Sequence, residues 1–357
     1  MPQHFLLSKK YRDTSLHRLL RMTDEELFDF VKKLKFGNGK EIPCTRCGAI
    51  DTHPFIKRRK GWKCKHCTRE FSLTSGTVWA DMKLPLSKLI MIIYQFCTSA
   101  NGISAVQVST DAEVAYKTAW VVMHKLREVI ARTTDTSLME GEVHVDGGHF
   151  GGKPRSGQFR PSNKARYAAA AEKLAGKTQG IKRRGISKAN FERKKRNRRI
   201  VMVVRQVAPA EGANRTRVFL SSGENEAVAK YIAKHCIANG SLVRTDENKA
   251  YDSYKQFFTH QTVEHSKEYS TIDGVNNNQA ESFFSRLRRC EYGTTHRMQA
   301  TYMIDYANEM AWKEDWRRKS VKEKLINLLE SSFHVGFSRW WRGYWQGYRR
   351  NDEMLIA

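Results

Sequence analysis

Apolar positions recur along this chain in two rhythms, and each predicts a different element. In "LPLSKLIMIIYQFCT" and "AEVAYKTAWVVMHKLREVIA" they return every three or four residues, the period of a helix with one buried face. The first helix opens near Pro85 and Ser87, and a second helical run starts near Ile103. In the third, Trp120, Met123, Leu126 and Val129 form the expected core stripe. Upstream, "TDEE" at Thr23–Glu26 is a capping box for a helix running to about Leu34. From Glu142 the rhythm changes. Glu142, His144 and Asp146 alternate with Val143 and Val145, as in a strand with one buried face. Gly147, Gly148, Gly151 and Gly152 follow, and glycines there allow close approach of backbone and a bulky ligand. "RIVMVVRQV" and "TRVFL" predict two more strands, "NEAVAKYIAKHCI" a helix, and "SLVRTD" a fourth strand ending at Asp246. In "NNQAESFFSRLRR", helical from about Asn277, the stripe is Ala280, Phe283, Phe284 and Leu287. Glu281 lies on another line, with Asn277, Asn278 and Arg288.

Three short helices with Gly102 in one connection fit a helix-turn-helix module, in which Lys117, His124, Lys125 and Arg127 are expected to face DNA. A solvated basic face is the plainer account of the same four charges. Three strands, a helix, a strand and then a helix bearing a carboxylate is the order of a ribonuclease-H-like α/β domain.

Charge narrows the partner. The 357 residues include 63 Lys and Arg against 37 acids, a formal +26, so a polyanion is expected. Apolar residues make up 40% of the chain, enough for two or three domains with real cores. No apolar run reaches the ~18 residues a membrane span needs, and the N-terminus lacks the pattern of a secretory signal. The reading is a cytoplasmic protein, nucleoid-associated when bound to DNA, whose cysteines are thiols or metal ligands rather than disulfides.

Four of those cysteines form two pairs. Cys44 and Cys47 frame C-T-R-C, Cys64 and Cys67 frame C-K-H-C, and sixteen residues separate them. This is the spacing of a four-thiolate zinc ribbon. Gly48 suits the turn after the first pair, and "FIKRRKGWKCKHC" reads as two short strands. Four protein ligands leave no open position, so the Zn²⁺ is structural.

Asp146, Asp246 and Glu281 come from two strand ends and one helix. Carboxylates gathered in a basic protein repel one another unless a cation neutralises them, and oxygen-only ligands favour Mg²⁺ or Mn²⁺. Two such ions about 3.5–4 Å apart clamp the attacking and leaving oxygens of a phosphodiester.

The cysteine pairs, the helical module, "VDGGHFGGK", "TDENKAYDSY", "HSKEYS" and "NNNQAESFFSRLRR" together resemble the ISXO-like, IS-fifteen-ninety-five superfamily of insertion-sequence transposases, from about Glu41 to "WWRGYWQ". The resemblance implies a DDE transposase of the retroviral-integrase superfamily, with Asp146, Asp246 and Glu281 as its metal-binding acids. It implies double-stranded DNA partners, namely the element's terminal inverted repeats and a target, and assembly as a homodimer or higher on DNA. His265 and Asn278 match other recurrent positions and are expected to support the acids. The chain departs from the pattern at Gly147, where many relatives carry Glu, and at Asn276–Asn278, where many read His-Thr-Asn.

Between Lys153 and Arg199 lie seventeen basic residues and two acids, among them Arg193, Lys194, Lys195, Arg196, Arg198 and Arg199. This insertion beside the carboxylates is expected to contact DNA phosphates, as are Arg288 and Arg289. The tail interleaves Trp340, Trp341, Tyr344, Trp345 and Tyr348 with arginines, suited either to base stacking or to packing on the rest of the protein. The expected organisation is a multidomain α+β chain: an N-terminal helical segment (1–40), a zinc ribbon (41–80), a helix-turn-helix module (81–135), a ribonuclease-H-like catalytic domain (136–315) carrying the basic insertion (150–199), and the tail (316–357). A DNA-binding regulator without catalysis and an RNA-directed nuclease are the rival functions.

Overall fold

The computed structural model of the chain describes residues 4–151, 175, 198–208, 212–263, 277–296 and 298–356. Near its start lie α1 (Leu16–Leu20) and α2 (Asp24–Phe36). The capping box at α2 forms as the sequence predicts: Thr23 accepts from the Glu26 N–H and the Glu26 carboxylate accepts from the Thr23 N–H. In the cysteine-rich stretch β1 (Ile42–Pro43) pairs antiparallel with β2 (Ile50–Asp51). β3 (Phe55–Ile56), β4 (Gly61–Lys63) and β5 (Glu70–Ser72) make a three-stranded antiparallel sheet. Strands this short are not self-supporting. They are held by the buried Trp62, which stacks on Phe71 and meets Phe28 and Phe36 of α2.

Three helices follow: α3 (Leu86–Thr98), α4 (Ala105–Asp111) and α5 (Tyr116–Thr133). Met123, Leu126 and Val129 are buried, and Trp120 packs into an aromatic cluster with Trp341 and Tyr344.

Strands β6 (Glu142–Phe150), β7 (Arg199–Ala208), β8 (Gly212–Ser221), β9 (Leu242–Asp246) and β10 (Thr259–Val263) form one mixed sheet in the order β10-β9-β6-β7-β8. β6, β7 and β8 run antiparallel to their neighbours in turn, while β9 is parallel to both β6 and β10. β10 was not expected from the sequence. The β-branched run of β7 is explained by burial on both faces. Ile200, Met202 and Val204 pack against α6 (Glu226–Cys236) on one side. Val201 and Val203 pack on the other against α7 (Asn278–Cys290) and α8 (Ala300–Asp315).

The last helix, α9 (Val321–His334), returns to the N-terminal half. Its Leu325, Leu328, Leu329 and Phe333 share one core with Leu27, Ile42, Phe71 and the apolar face of α3. The indole of Trp79 donates to Ser332 Oγ at 2.8 Å. Beyond it the tail crosses α5, where the Glu128 carboxylate accepts from Ser338 Oγ and the Arg339 N–H, both at 2.6 Å. It ends beside β8, with the Ile356 N–H donating to Leu220 O at 2.9 Å. Of the two roles open to the tail, packing accounts for Trp341 and Tyr344, which are buried, while Trp345 and Tyr348 are exposed. No helix among the described residues is long and apolar enough to cross a membrane.

Candidate active site and metal centres

The register of β6 with β9 pairs Val143 with Val243 and His144 with Arg244. Continued two residues along, it sets Asp146 beside Asp246. Asp246 ends β9 as predicted, but Asp146 lies in the middle of β6, because pairing with β7 carries that strand on through the glycines to Phe150. Each acid is oriented by local backbone. Asp146 Oδ1 accepts from the Gly147 N–H at 2.7 Å, and Asp246 Oδ1 from the Asn248 N–H at 3.2 Å. A third carboxylate joins them that the sequence reading missed. Asp146, Glu224 and Asp246 each offer an oxygen, and the three atoms lie within 4.8 Å of one another. Glu224 sits in the turn between β8 and α6, where Asn225 caps the helix by accepting from the Val228 N–H.

Glu281 reaches the same region from α7, although it is outside that tight trio. Two devices seat this helix. Arg205 of β7 donates to Gln279 O at 2.6 Å, and Gln279 Oε1 accepts from the Ala213 N–H at 3.3 Å. Phe284 lies where a side chain on Gly148 would stand: a Cβ there would meet its ring at 2.6 Å. Gly147 does the same for Glu224, whose carboxyl carbon lies 2.7 Å from the Cβ position. The glycines therefore admit a helix and a carboxylate from this chain, rather than the bulky ligand expected of them.

Electrostatics fits the crowding. Burial, then the nearby charge of Asp246, and then Glu224 and Glu281 together push the Asp146 carboxyl up to about 8. Burial and Asp246 also raise Glu224, against hydrogen bonds from Tyr251 and Asn248. Three or four oxygen donors with surplus negative charge suit a hard divalent cation such as Mg²⁺ or Mn²⁺.

Cys44, Cys47, Cys64 and Cys67 converge as their spacing predicts, one sulfur from each within 4.8 Å of the others. Both pairs close in the same way. The Gly48 N–H bonds Cys44 O at 2.9 Å, and the Thr68 N–H bonds Cys64 O at 3.1 Å. Gly48 and Thr68, each just after a pair, have φ of +74° and +60°. This donor set fits a structural Zn²⁺.

The basic residues divide. Lys117, Arg288 and Arg289 are exposed, with Arg288 lying over Phe150 and Phe284. Lys125 and Arg127 do not face outward, and neither does His124. α5 is packed by α3, α4, α8 and α9, so its charges are matched inside the protein: Arg127 pairs with Glu309 at 2.8 Å, and Lys125 lies over the Trp79 ring. Arg198 is half-buried, and Arg199 makes a two-pronged ion pair with Glu353 of the tail. Asn278 is exposed at the first turn of α7. His265, Arg193, Lys194, Lys195 and Arg196 lie outside the described residues.

Comparison with known proteins agrees with this geometry. Residues 138–315 match the family model described as an ISXO2-like transposase domain, and residues 22–70 match the transposase zinc-ribbon domain. Together the two matches cover more than half of the chain. An uncharacterized protein in transposable element ISH50 of Halobacterium salinarum is 23% identical over 323 residues, which is 87% of this chain and 97% of that protein.

Proposed function

Because the chain belongs to the ISXO2-like transposase family, we propose that it binds the ends of an insertion sequence, cleaves the DNA there and joins the freed 3′ ends to target DNA. The observation that carries this reading is the meeting of Asp146 of β6 and Asp246 of β9 on adjacent strands, with Glu281 brought near by α7. The strand order and mixed directions of the sheet, covered by helices on both faces, support a ribonuclease-H-like catalytic domain.

Bound Mg²⁺ or Mn²⁺ would neutralise the acids and polarise the oxygens that attack and leave the phosphorus. The protein's part is placement. Strands fix Asp146 and Asp246, a pinned helix fixes Glu281, and burial makes the charge of Asp146 costly until a cation arrives. Cleavage and joining are both phosphodiester displacements, so one set of acids serves both. Exposed Arg288 and Arg289, in the last turn of the helix that bears Glu281, supply phosphate contacts without sequence readout. The zinc ribbon and the three-helix module α3–α5 recognise the element ends, with exposed Lys117 at the start of α5 available to DNA. Two ends held together require at least a dimer.

The test is incubation of the protein with DNA carrying the element ends, with and without Mg²⁺. Metal-dependent nicking and strand joining are expected. Asp146→Asn, Asp246→Asn and Glu281→Gln each abolish both steps while DNA binding persists. End binding without nicking under any divalent cation would instead make this a DNA-binding regulator.

A further inference from the structure

We propose that Glu224 is a metal-ligating carboxylate of the active centre, held in place by Tyr251 and given room by Gly147. The inference rests on reading the site as a divalent-cation phosphoryl-transfer centre, and it adds a ligand to the three acids of that reading.

Three independent features converge on this side chain. Its oxygen lies within 4.8 Å of an oxygen of both Asp146 and Asp246, while Glu281 is not within that set. It is clamped from one side: Tyr251 Oη donates to Glu224 Oε1 at 2.6 Å. Tyr251 is fully buried, so its hydroxyl is fixed by the core and not by solvent. The third feature is the space. A Cβ on residue 147 would stand 2.7–2.8 Å from all three carboxyl atoms of Glu224, so the carboxylate occupies volume that any other residue at 147 would fill. A surface acid capping a helix needs neither a buried phenol nor a missing side chain on a neighbouring strand. A ligand held by an outer hydrogen bond does.

The segment after Asp246 thereby gains a role. Asn248 and Tyr251 follow Asp246 by two and five residues, so one short stretch orients Asp246 through the Asn248 N–H and Glu224 through the Tyr251 hydroxyl. Tyr251 is a positioning residue, and Glu224 is the group that touches the ion.

The experiment measures Mn²⁺ and Mg²⁺ binding by calorimetry, and the metal-induced rise in melting temperature, on the full chain without DNA. Glu224→Gln should weaken binding more than tenfold and shrink the metal-induced rise. The chelated protein should melt no lower than wild type, because a repelling charge has gone. Tyr251→Phe should weaken binding by about tenfold. Gly147→Ala should weaken it too, by displacing the carboxylate, and should add little in a Gly147→Ala/Glu224→Gln double variant. Wild-type metal affinity in Glu224→Gln overturns the proposal. If Asp146→Asn loses metal while Glu224→Gln keeps it, this inference alone fails. If neither loses it, the metal-centre reading itself fails.

Discussion

Arg127 Nε donates to Glu309 Oε2 at 2.8 Å, with both side chains buried, and this pair ties α5 of the N-terminal half to α8 on the five-stranded sheet. Removing one partner strands a charge in the interior. Arg127→Ala or Glu309→Ala should cost about 3–5 kcal/mol in denaturant unfolding, and an apolar pair at both positions should still be destabilising, because buried Lys313 also pairs with Glu309. Were Arg127 a DNA contact, Arg127→Ala would instead weaken DNA binding without a change in unfolding midpoint.

The zinc knuckles predict an asymmetry. One tightly held Zn²⁺ per chain is expected, and Cys44→Ser or Cys64→Ser should release it and unfold the ribbon. Gly48 and Thr68 occupy equivalent left-handed positions, yet only one is glycine. Thr68→Gly should stabilise the ribbon by about 1 kcal/mol, while Gly48→Ala should destabilise it by a similar amount. Thermal unfolding of the zinc-loaded protein checks both signs.

Asp146 sets a pH dependence. Its carboxyl is pushed up to about 8 from an ordinary 3.8, so across that window the metal-free folded state holds a proton that the unfolded state has lost. Its contribution to stability therefore falls as pH rises through the window. Cation binding must displace that proton, so Mg²⁺ affinity should rise with pH and level off above about 8. Calorimetry at pH 7 in two buffers of different ionisation enthalpy should show proton release, and Asp146→Asn should abolish it.

Salt dependence tests the basic insertion. Each phosphate neutralised on duplex DNA contributes roughly −0.9 to the slope of log K against log salt. Replacing Arg193, Lys194, Lys195, Arg196 and Arg198 with neutral residues should flatten the slope by about four and weaken binding to every sequence alike. Arg199 is left out because its pair with Glu353 makes its loss a stability change. An unchanged slope would show that the block does not contact DNA.

Much of the fold was legible because its signals are local. The capping box, the cysteine spacing and the alternation in β6 each lie within a few residues of what they dictate. Asp246 was legible because it ends a strand, and Asp146 because it continues the alternation of one, although β6 runs on through the glycines to Phe150. β10 was not, since "THQTV" is a half-exposed edge strand with polar residues on both faces and no apolar alternation to betray it. Glu224 was hidden differently. An acid beside an Asn cap is ordinary at a helix start, and its clamp comes from Tyr251, on the far side of α6 and β9. The nearest sequence signal was a glycine, rather than a side chain, directly after Asp146. Arg127 misled because its partner stands 182 residues away, and no periodicity within α5 distinguishes a buried arginine from an exposed one.

The placement of α9 has a consequence for how the protein is made. Leu325, Leu328, Leu329 and Phe333 complete a core whose other members begin at Leu19. As the chain leaves the ribosome, the ribbon and the first helices emerge long before the segment that closes over them. Until residues 321–341 have been synthesised, the apolar face of α3 stays uncovered and Glu128 lacks Ser338. The N-terminal half can finish folding only after the five-stranded sheet and its helices have already been translated.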